Sequence, residues 1–283
     1  MDIKIAVIAP GMMGAAVAQR LRLRGAQVAT TLHGRSPAST ARAAGLVLLD
    51  SEQALADWAD IVLSILPPGE ALALAKRLGP ALAARAAQVV FADCNAVSPA
   101  TVQAIAASLP GVRVVDVGII GGPPKADDAG PRLYASGAEA AGLLPLRDHG
   151  IDWRPIDGGI GAASALKLSY AGITKGLTAL GSAMALGAAQ FDGKGAGAAE
   201  ALRAELAASQ PDVLRYLQRS VPDMFTKAYR WVAEMEEISD FLGPLPAAPI
   251  YQGAARLYEA LAADQAAPAP DGPVARLEKF YRP

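Results

Sequence analysis

The chain has 283 residues, of which 52% are hydrophobic and 19% charged, and its formal net charge is −1. This length and apolar content suffice for two hydrophobic cores, so we expect two domains. A nearly neutral chain lacks the basic field that nucleic acid or an anionic membrane surface attracts, so neither is an expected partner. The only cysteine, Cys94, cannot form an intrachain disulfide, and strand-like residues begin at Ile3. We therefore expect a cytoplasmic protein without a signal peptide.

The first predicted elements are a strand over residues 3–8 and a helix over residues 15–24, joined by a glycine turn. A strand, a glycine turn and a helix in this order are typical of dinucleotide binding, because unpaired amides at the helix N-terminus hold the pyrophosphate. The first glycine of the usual G-x-G-x-x-G pattern is Ala9 here, so a buried turn without a ligand is the alternative. The predicted cofactor contacts in this turn are Pro10, Gly11, Met12, Met13 and Gly14.

The end of the second predicted strand, residues 26–32, bears on which dinucleotide is bound. A fold that prefers NAD usually carries Asp or Glu here to hold the ribose 2′-hydroxyl. This chain has no carboxylate there, and Arg35 and Ser36 follow the strand. The planar guanidinium of Arg35 suits a phosphate, so we predict NADP as the cofactor. The alternative is that Arg35 and Ser36 form an ordinary solvated turn.

Strand and helix patterns alternate up to about residue 157. Apolar strands separated by helices indicate an α/β fold with a doubly wound parallel sheet covered on both faces, so residues 1–157 are predicted to be a Rossmann-type domain. The later expected strands cover residues 61–66, 89–93, 112–117 and 132–136, and the later expected helices cover residues 70–84 and 99–109.

Residues 158–283 are predicted to form an all-α domain that contributes to the substrate site and to dimerisation. Residues 162–190 contain no proline, so we expect one long interdomain helix. The helical pattern continues from residue 197 to 261, with breaks expected at Pro211, at Pro222 and in residues 244–249, before a linker over residues 266–273 and a short basic helix. Small side chains on more than one face of the long helix favour a homodimer that completes its clefts. The alternative is a monomer whose later helices cover the long one.

Four motifs, taken in order, resemble those of the β-hydroxyacid dehydrogenase family, which includes the 3-hydroxyisobutyrate and phosphogluconate dehydrogenases. The glycine turn has the family's G-x-M-G form, and residues 66–68 match an apolar-proline stretch beside the cofactor. Residues 116–123 match the substrate motif D-x-P-V-S-G-G, and residues 158–161 followed by Lys167 match the catalytic G-x-x-G…K segment. The resemblance covers nearly the whole chain, and the second half is most similar to a phosphogluconate dehydrogenase-like branch.

The resemblance implies an NADP-dependent dehydrogenase or reductase that acts on a carbonyl or hydroxy substrate. Hydride transfer to a carbonyl leaves negative charge on oxygen, which a nearby ammonium group stabilises and protonates. Lys167 is the expected general acid or base, and Tyr170, Ala171 and Thr174 share its face of the helix. The alternative for Lys167 is a solvated surface lysine. Lys175 lies off this face and is expected to be exposed.

Two departures from the family pattern bear on the substrate. The serine of the substrate motif is Ile120 here, and the asparagine four residues after the catalytic lysine is Ala171. In the family these polar groups bind the substrate carboxylate and hydroxyl, so apolar replacements favour a larger or less polar substrate. Tyr170 and Thr174 are the predicted substitutes for the missing asparagine.

Further contacts are expected from the resemblance. For the cofactor they are Leu66, Pro67, Pro68 and Asn95, the last near the nicotinamide ribose or, alternatively, a loop cap. For the substrate they are Ile120, Gly121, Gly122, Ala171, Arg230 and Glu234, although Arg230, Glu234 and Glu237 could also be a solvated helix face. No metal site is predicted, because no His and Cys residues have metal-ligand spacing, and Cys94 is interpreted as a packed residue.

Three functions remain open at this point. The first is an NADPH-dependent reductase, or a dehydrogenase in the reverse direction, acting on a carbonyl or hydroxy compound. The second is an imine reductase, a related fold that often lacks the catalytic lysine, so that Lys167 favours the carbonyl. The third is a dinucleotide-binding sensor without turnover, which the missing serine and asparagine keep open.

Overall fold

The computed structural model describes residues 3–125, 128–192 and 197–282. The chain divides into two compact units, Met1–Leu168 and Ser169–Pro283. The boundary lies inside the longest helix, so this helix contributes its first turns to one unit and its remainder to the other.

The described part of the first unit alternates strands and helices. Its strands are β1 (Lys4–Ile8), β2 (Gln27–Thr30), β3 (Val47–Leu48), β4 (Ile61–Ser64), β5 (Val90–Asp93), β6 (Arg113–Ile120), β7 (Arg132–Ser136) and β8 (Asp152–Pro155). Its helices are α1 (Met12–Leu23), α2 (Pro37–Arg42), α3 (Glu52–Trp58), α4 (Ala71–Ala83), α5 (Pro99–Ala107) and α6 (Pro145–Asp148), with 3-10 turns at Pro68–Glu70 and Ala140–Leu143.

These strands form one sheet in the order β3-β2-β1-β4-β5-β6-β7-β8, and the pairs from β3 to β6 are parallel. The prediction of a Rossmann-type doubly wound sheet is confirmed. β7 runs antiparallel to β6, because the connecting residues 121–131 are too few for a crossover helix. β7 pairs with every residue from Asp116 to Ile120, so this part of the substrate motif is strand, and β6 extends three residues beyond the predicted strand over residues 112–117.

Both faces of the sheet are covered by apolar layers. Along β1, Ile5 and Val7 belong to one buried cluster, whereas Ala6 and Ile8 belong to the other. Alternate residues of the same strand are therefore buried on opposite faces, which explains why residues 5–8 of β1 are apolar without interruption.

The long helix α7 (Ala162–Ala189) is followed by α8 (Ala198–Ser209), α9 (Pro211–Phe225), α10 (Ala228–Leu242), α11 (Ala248–Ala266) and α12 (Pro273–Tyr281). The expected break at Pro222 is wrong, because α9 continues through it. The buried face of α9 includes Leu217, Val221 and Met224, and its apolar packing on both sides of Pro222 outweighs the missing backbone hydrogen bond. None of the helices in the described ranges has the length and apolar character needed to cross a membrane.

Candidate functional site

Two of the predicted cofactor segments, the glycine turn and residues 66–68, lie side by side at the carboxyl end of neighbouring strands. β1 and β4 are neighbours, and from them the chain proceeds to opposite halves of the sheet, which is where doubly wound folds bind their ligands. The glycine turn follows β1 and residues 66–68 follow β4. The Ala9 amide donates a hydrogen bond to the Ile65 carbonyl oxygen at 3.2 Å, which joins the two turns.

The glycine turn has the shape that a pyrophosphate requires. A Cβ atom on Gly14 would overlap the carbonyl oxygen of Ala9, so only glycine lets α1 start this close to β1. A Cβ atom on Gly11 would meet no described atom within 4 Å, and no side chain of the described residues caps the first turn of α1. The turn therefore offers open space in front of uncapped helix amides, which fits a dinucleotide phosphate.

Arg35 lies after β2, as expected, and its Nε atom is buried without a hydrogen-bond partner among the described residues. Its Nη1 atom is 4.0 Å from Oε2 of Glu70, which belongs to the 3-10 turn after β4. The expectation that this region lacks a carboxylate is therefore wrong, and sequence reasoning missed Glu70 because it lies 35 residues away. Ser36 caps α2 by accepting a hydrogen bond from the Ser39 amide at 3.2 Å.

Asn95 is buried between the ends of β4 and β5. Its Oδ1 atom accepts a hydrogen bond from the Leu66 amide at 2.5 Å, and its Nδ2 atom donates to Ser64 Oγ at 2.9 Å and to Asp93 Oδ1 at 2.5 Å. The side-chain amide thus holds the start of the 66–68 turn in place and uses both of its hydrogens within the protein.

Asp93 is buried at the end of β5, and its Oδ2 atom has no hydrogen-bond partner among the described residues. Burial raises the pKa of Asp93 to about 7, against the opposing effect of the hydrogen bonds from Asn95, and the nearby Asp116 carboxylate adds to the rise. Burial also raises the pKa of the adjacent Cys94 thiol, so the thiol stays protonated, which agrees with its interpretation as a packed residue.

Asp116, the first residue of the substrate motif, lies inside β6 and binds the first turn of α7. Its Oδ2 atom accepts hydrogen bonds from the amides of Gly161 and Ser164 at 2.9 and 3.0 Å and from Ser136 Oγ at 3.1 Å. Its Oδ1 atom accepts from Ser164 Oγ at 2.7 Å, and Ser136 Oγ accepts from the Ala163 amide at 3.0 Å. A strand carboxylate and a strand hydroxyl therefore cap the amides at the start of this helix.

Gly118 lies two residues further along β6, where the family motif has proline. A Cβ atom built on Gly118 would lie 2.6 Å from the Ala163 carbonyl oxygen and 3.1 Å from Lys167 Cβ. The helix segment that carries Lys167 consequently rests directly on the backbone of β6. The glycine in place of proline is a signal in the sequence that could have indicated this close approach.

The substrate candidates in the first unit are close to the end of β6. Ile120 is buried and paired with Arg132 of β7, and Gly121 follows with a φ of 127°. A Cβ atom on Gly122 would meet nothing within 4 Å, so the chain is open there. In the second unit Ala171 is buried, so both positions that depart from the family pattern carry buried apolar side chains.

In the second unit, Tyr170 is 48% exposed, and the Thr174 hydroxyl donates a hydrogen bond to the Tyr170 carbonyl oxygen at 2.9 Å. Lys175 was expected to be exposed, but its side chain is only 16% exposed and forms an ion pair with Glu234 of α10. The Lys175 ammonium also lies 4.9 Å from the centre of the Trp231 ring. Sequence reasoning missed this arrangement because the pair is formed by packing α10 against α7.

The other predicted substrate residue on α10, Arg230, is exposed, and its guanidinium lies 5.8 Å from the centre of the Tyr229 ring. Arg230 and Glu234 thus differ in environment although they are four residues apart on one helix. Within the described ranges, no group of three or more His, Cys, Asp and Glu side chains is arranged to hold a metal ion.

Two domain families match the sequence. Residues 4–142 match the NAD binding domain of 6-phosphogluconate dehydrogenase, and residues 194–261 match the domain of unknown function DUF1932. An uncharacterised 28.5 kDa protein from Methanothermus fervidus is 30% identical over 156 residues, which is 54% of this chain. The matched region spans 59% of that relative's length.

Solved structures share the fold over the whole chain. The conserved protein MTH1747, described as similar to 3-hydroxyacid dehydrogenases, is 27% identical, and the match covers 93% of this chain and 99% of that chain with a TM-score of 0.72. The 3-hydroxyisobutyrate dehydrogenase of Mycobacterium tuberculosis, with L-serine, is 20% identical and has the same fold over 99% of each chain, with a TM-score of 0.74. An imine reductase variant from Myxococcus stipitatus in complex with NAD+, also 20% identical, matches over all of both chains with a TM-score of 0.59.

The sheet, the glycine turn at its centre and the domain match together define a Rossmann-type protein that binds a nicotinamide dinucleotide. The two domain matches and the structural match to MTH1747 support the predicted resemblance to β-hydroxyacid dehydrogenase-like proteins with a helical C-terminal domain.

Proposed function

We propose that this chain is an NADP(H)-dependent oxidoreductase that transfers a hydride between the nicotinamide and a carbonyl or hydroxy substrate. A bound nicotinamide supplies or accepts the hydride. Lys167 acts as the general acid or base, residues 1–157 hold the cofactor, and residues 158–283 contribute to the substrate site.

The observation that carries the proposal is the contact between Lys167 and β6. Lys167 lies against Gly118, two residues before the carboxyl end of that strand. β6 is parallel to β5, β4 and β1, so this end lies on the same edge of the sheet as the glycine turn. An ammonium group at this edge is suited to stabilise and protonate an oxygen that gains charge as hydride arrives.

The preference for NADP rests on Arg35. A buried Nε atom without a partner is costly, and a phosphate on the ribose would satisfy it. Glu70 competes for the same guanidinium, but at 4.0 Å and with a side chain that is 59% exposed it is a weak competitor. The cofactor phosphates would be held by Gly11 and the amides at the start of α1. Pro10, Met12, Met13 and residues 66–68 would form the walls around them.

The proposed substrate is less polar than a small hydroxyacid. Ile120 and Ala171 replace the family's two polar contacts and are both buried, so neither position offers a hydrogen bond to a carboxylate. Tyr170 is the proposed polar contact in their place, because its side chain is exposed, whereas the Thr174 hydroxyl hydrogen is already bonded to the helix backbone. Gly121, Gly122, Arg230 and Glu234 are proposed to border the same substrate.

A second candidate is reduction of a C=N bond, which the apolar replacements at 120 and 171 and the shared fold with imine reductases favour. A third is a sensor that binds the dinucleotide without turnover. Stopped-flow oxidation of NADPH against panels of aldehydes, ketones, hydroxyacids and imines separates the three. Turnover of carbonyl compounds is expected. Turnover confined to imines would replace the first candidate with the second, and binding of NADPH without turnover on any panel would leave the sensor.

We further propose a homodimer and a cytoplasmic location. Along α7 the apolar side chains of Ile173, Leu180 and Met184 are 56–70% exposed, and their spacings of seven and four residues place them on one face of the helix. Such a stripe supports burial against a second copy of the chain. The buried, unpaired Cys94 supports a reducing compartment.

A further inference from the structure

The carboxylate of Asp116 and the backbone of Gly118 both act on the helix turn that carries Lys167. Asp116 accepts hydrogen bonds from two amides at the start of α7 and from the Ser164 hydroxyl, so this turn is fastened to β6 by several bonds at once. Asp116 is fully buried, and solvent does not compete for these bonds.

Gly118 sets how close the same turn can come to the strand. The atom nearest to its missing Cβ is the Ala163 carbonyl oxygen, at 2.6 Å. In an α-helix this carbonyl accepts the hydrogen bond of the amide four residues later, which is that of Lys167. Any side chain at 118 would therefore push against the peptide group that holds Lys167, and also against Lys167 Cβ at 3.1 Å.

We propose that Asp116 and Gly118 are positioning residues for Lys167. Asp116 fixes the direction of the helix start, and Gly118 fixes its distance from β6. The two residues thereby set where the Lys167 ammonium lies at the carboxyl edge of the sheet. This inference rests on the proposed catalytic role of Lys167, and it adds a function to two residues that do not themselves reach the substrate.

The principal test is a double-mutant cycle between Gly118→Ala and Lys167→Ala, with Gly253→Ala as the matched control. A Cβ atom at Gly253 of α11 would meet no described atom within 4 Å, so this variant should leave kcat unchanged, and stability should stay the same or rise slightly because alanine favours a helix over glycine. Gly118→Ala should lower kcat about 10- to 100-fold, because a displacement of about 1 Å at a catalytic group has effects of this size. The Kd for NADPH should stay the same, since the glycine turn and Arg35 are not touched.

The cycle distinguishes positioning from a merely structural role. If Gly118 acts through Lys167, adding Gly118→Ala to Lys167→Ala should cost little further activity. Fully additive losses would overturn the proposal while leaving Lys167 as a catalytic residue. No loss in Lys167→Ala alone would instead refute the proposed function, so the two failures are separable.

A second measurement needs neither turnover nor a known substrate. The rate at which Lys167 is acetylated by a small anhydride is measured by peptide mass spectrometry in the parent chain, in Asp116→Asn and in Ser164→Ala. Ser164→Ala removes only the hydroxyl bond to Asp116 and is the mild variant if Asp116→Asn does not fold. Both variants should change the acetylation rate of Lys167 severalfold. The acetylation rate of the exposed Lys76 should stay the same and serves as an internal reference. An unchanged rate at Lys167 in folded variants would overturn the proposal.

Discussion

Asp93 and Asp116 lie opposite each other in register on the parallel strands β5 and β6, and both are buried. Asp116 accepts four hydrogen bonds, whereas Asp93 Oδ1 accepts one from the Asn95 side chain and Oδ2 accepts none among the described residues. Burial raises the pKa of Asp93, the carboxyl group with fewer hydrogen-bond partners, and the neighbouring Asp116 carboxylate adds to this rise.

The first prediction concerns pH and stability. Burial raises the pKa of Asp93 from its usual 3.8 to about 7, so between about pH 4 and pH 7 the folded chain binds one more proton than the unfolded chain. The free energy of unfolding should therefore decrease as pH rises through this range because of Asp93. In Asp93→Asn this contribution is absent, so the variant should gain stability relative to the parent as pH rises from 4 to 7. Urea unfolding at several pH values measures the free energy of unfolding, and Asp148→Asn, at an exposed residue, is the control. If the free energies of Asp93→Asn and of the parent changed in parallel with pH, the prediction would be contradicted.

The second prediction concerns cofactor choice. NADPH should bind more tightly than NADH by about one to two decades, since a charge-assisted contact from Arg35 is worth roughly 1.5–3 kcal/mol. Arg35→Ala should reduce this difference in affinity by weakening the binding of NADPH. Glu70→Gln should increase the difference slightly, because it removes a competing carboxylate 4.0 Å from the guanidinium. Calorimetric titration with both cofactors checks all three chains. Equal affinities in the parent would remove the argument for NADP.

The third prediction concerns the proposed general acid. Lys167→Ala should lower turnover by about 10²- to 10⁴-fold, the usual scale for general acid or base catalysis, with little change in NADPH affinity. Tyr170→Phe should lower turnover by a smaller factor than Lys167→Ala. Thr174→Val should have a smaller effect still, because the Thr174 hydroxyl hydrogen is bonded to the Tyr170 carbonyl oxygen. Steady-state kinetics on the best substrate, together with cofactor titration, provide the measurement. Loss of cofactor binding along with turnover would show that Lys167 is structural.

The fourth prediction separates the two glycines of the turn. Gly14→Ala should destabilise the chain by about 1–3 kcal/mol, because the added methyl group overlaps the Ala9 carbonyl oxygen, and it should also weaken cofactor binding. Gly11→Ala meets no protein atom, so stability should be retained while NADPH binding is lost to the methyl group in the phosphate space. Denaturant unfolding and calorimetry are compared for the two variants. Normal NADPH affinity in Gly11→Ala would show that the phosphates lie elsewhere.

The fifth prediction concerns assembly. Leu180 on α7 is 60% exposed, and Leu180→Glu should convert the proposed dimer into a monomer, because a charge would be buried at the interface. Leu23→Glu, at a leucine of α1 that is 69% exposed, is the control and should leave the dimer intact. Sedimentation at micromolar concentration distinguishes the species. A parent chain that sediments only at 28.9 kDa would refute the dimer.

Local patterns in the sequence determined the class of fold and the centre of the site. The apolar run of β1, the glycine turn and α1 are contiguous, so their order alone predicted the dinucleotide site. The absence of proline over residues 162–190 likewise predicted α7 within one residue of its observed end. The strand, the turn and both helices depend on residues that are close together in the chain, so the local sequence is enough to predict them.

Only the tertiary structure decided which polar side chains meet. Asp116 and Ser164 are 48 residues apart, Arg35 and Glu70 are 35 apart, and Lys175 and Glu234 are 59 apart, so no periodicity links the members of each pair. The sequence therefore predicted an exposed Lys175 and a region around Arg35 without a carboxylate, and both were wrong. Strand order and helix packing bring these groups together.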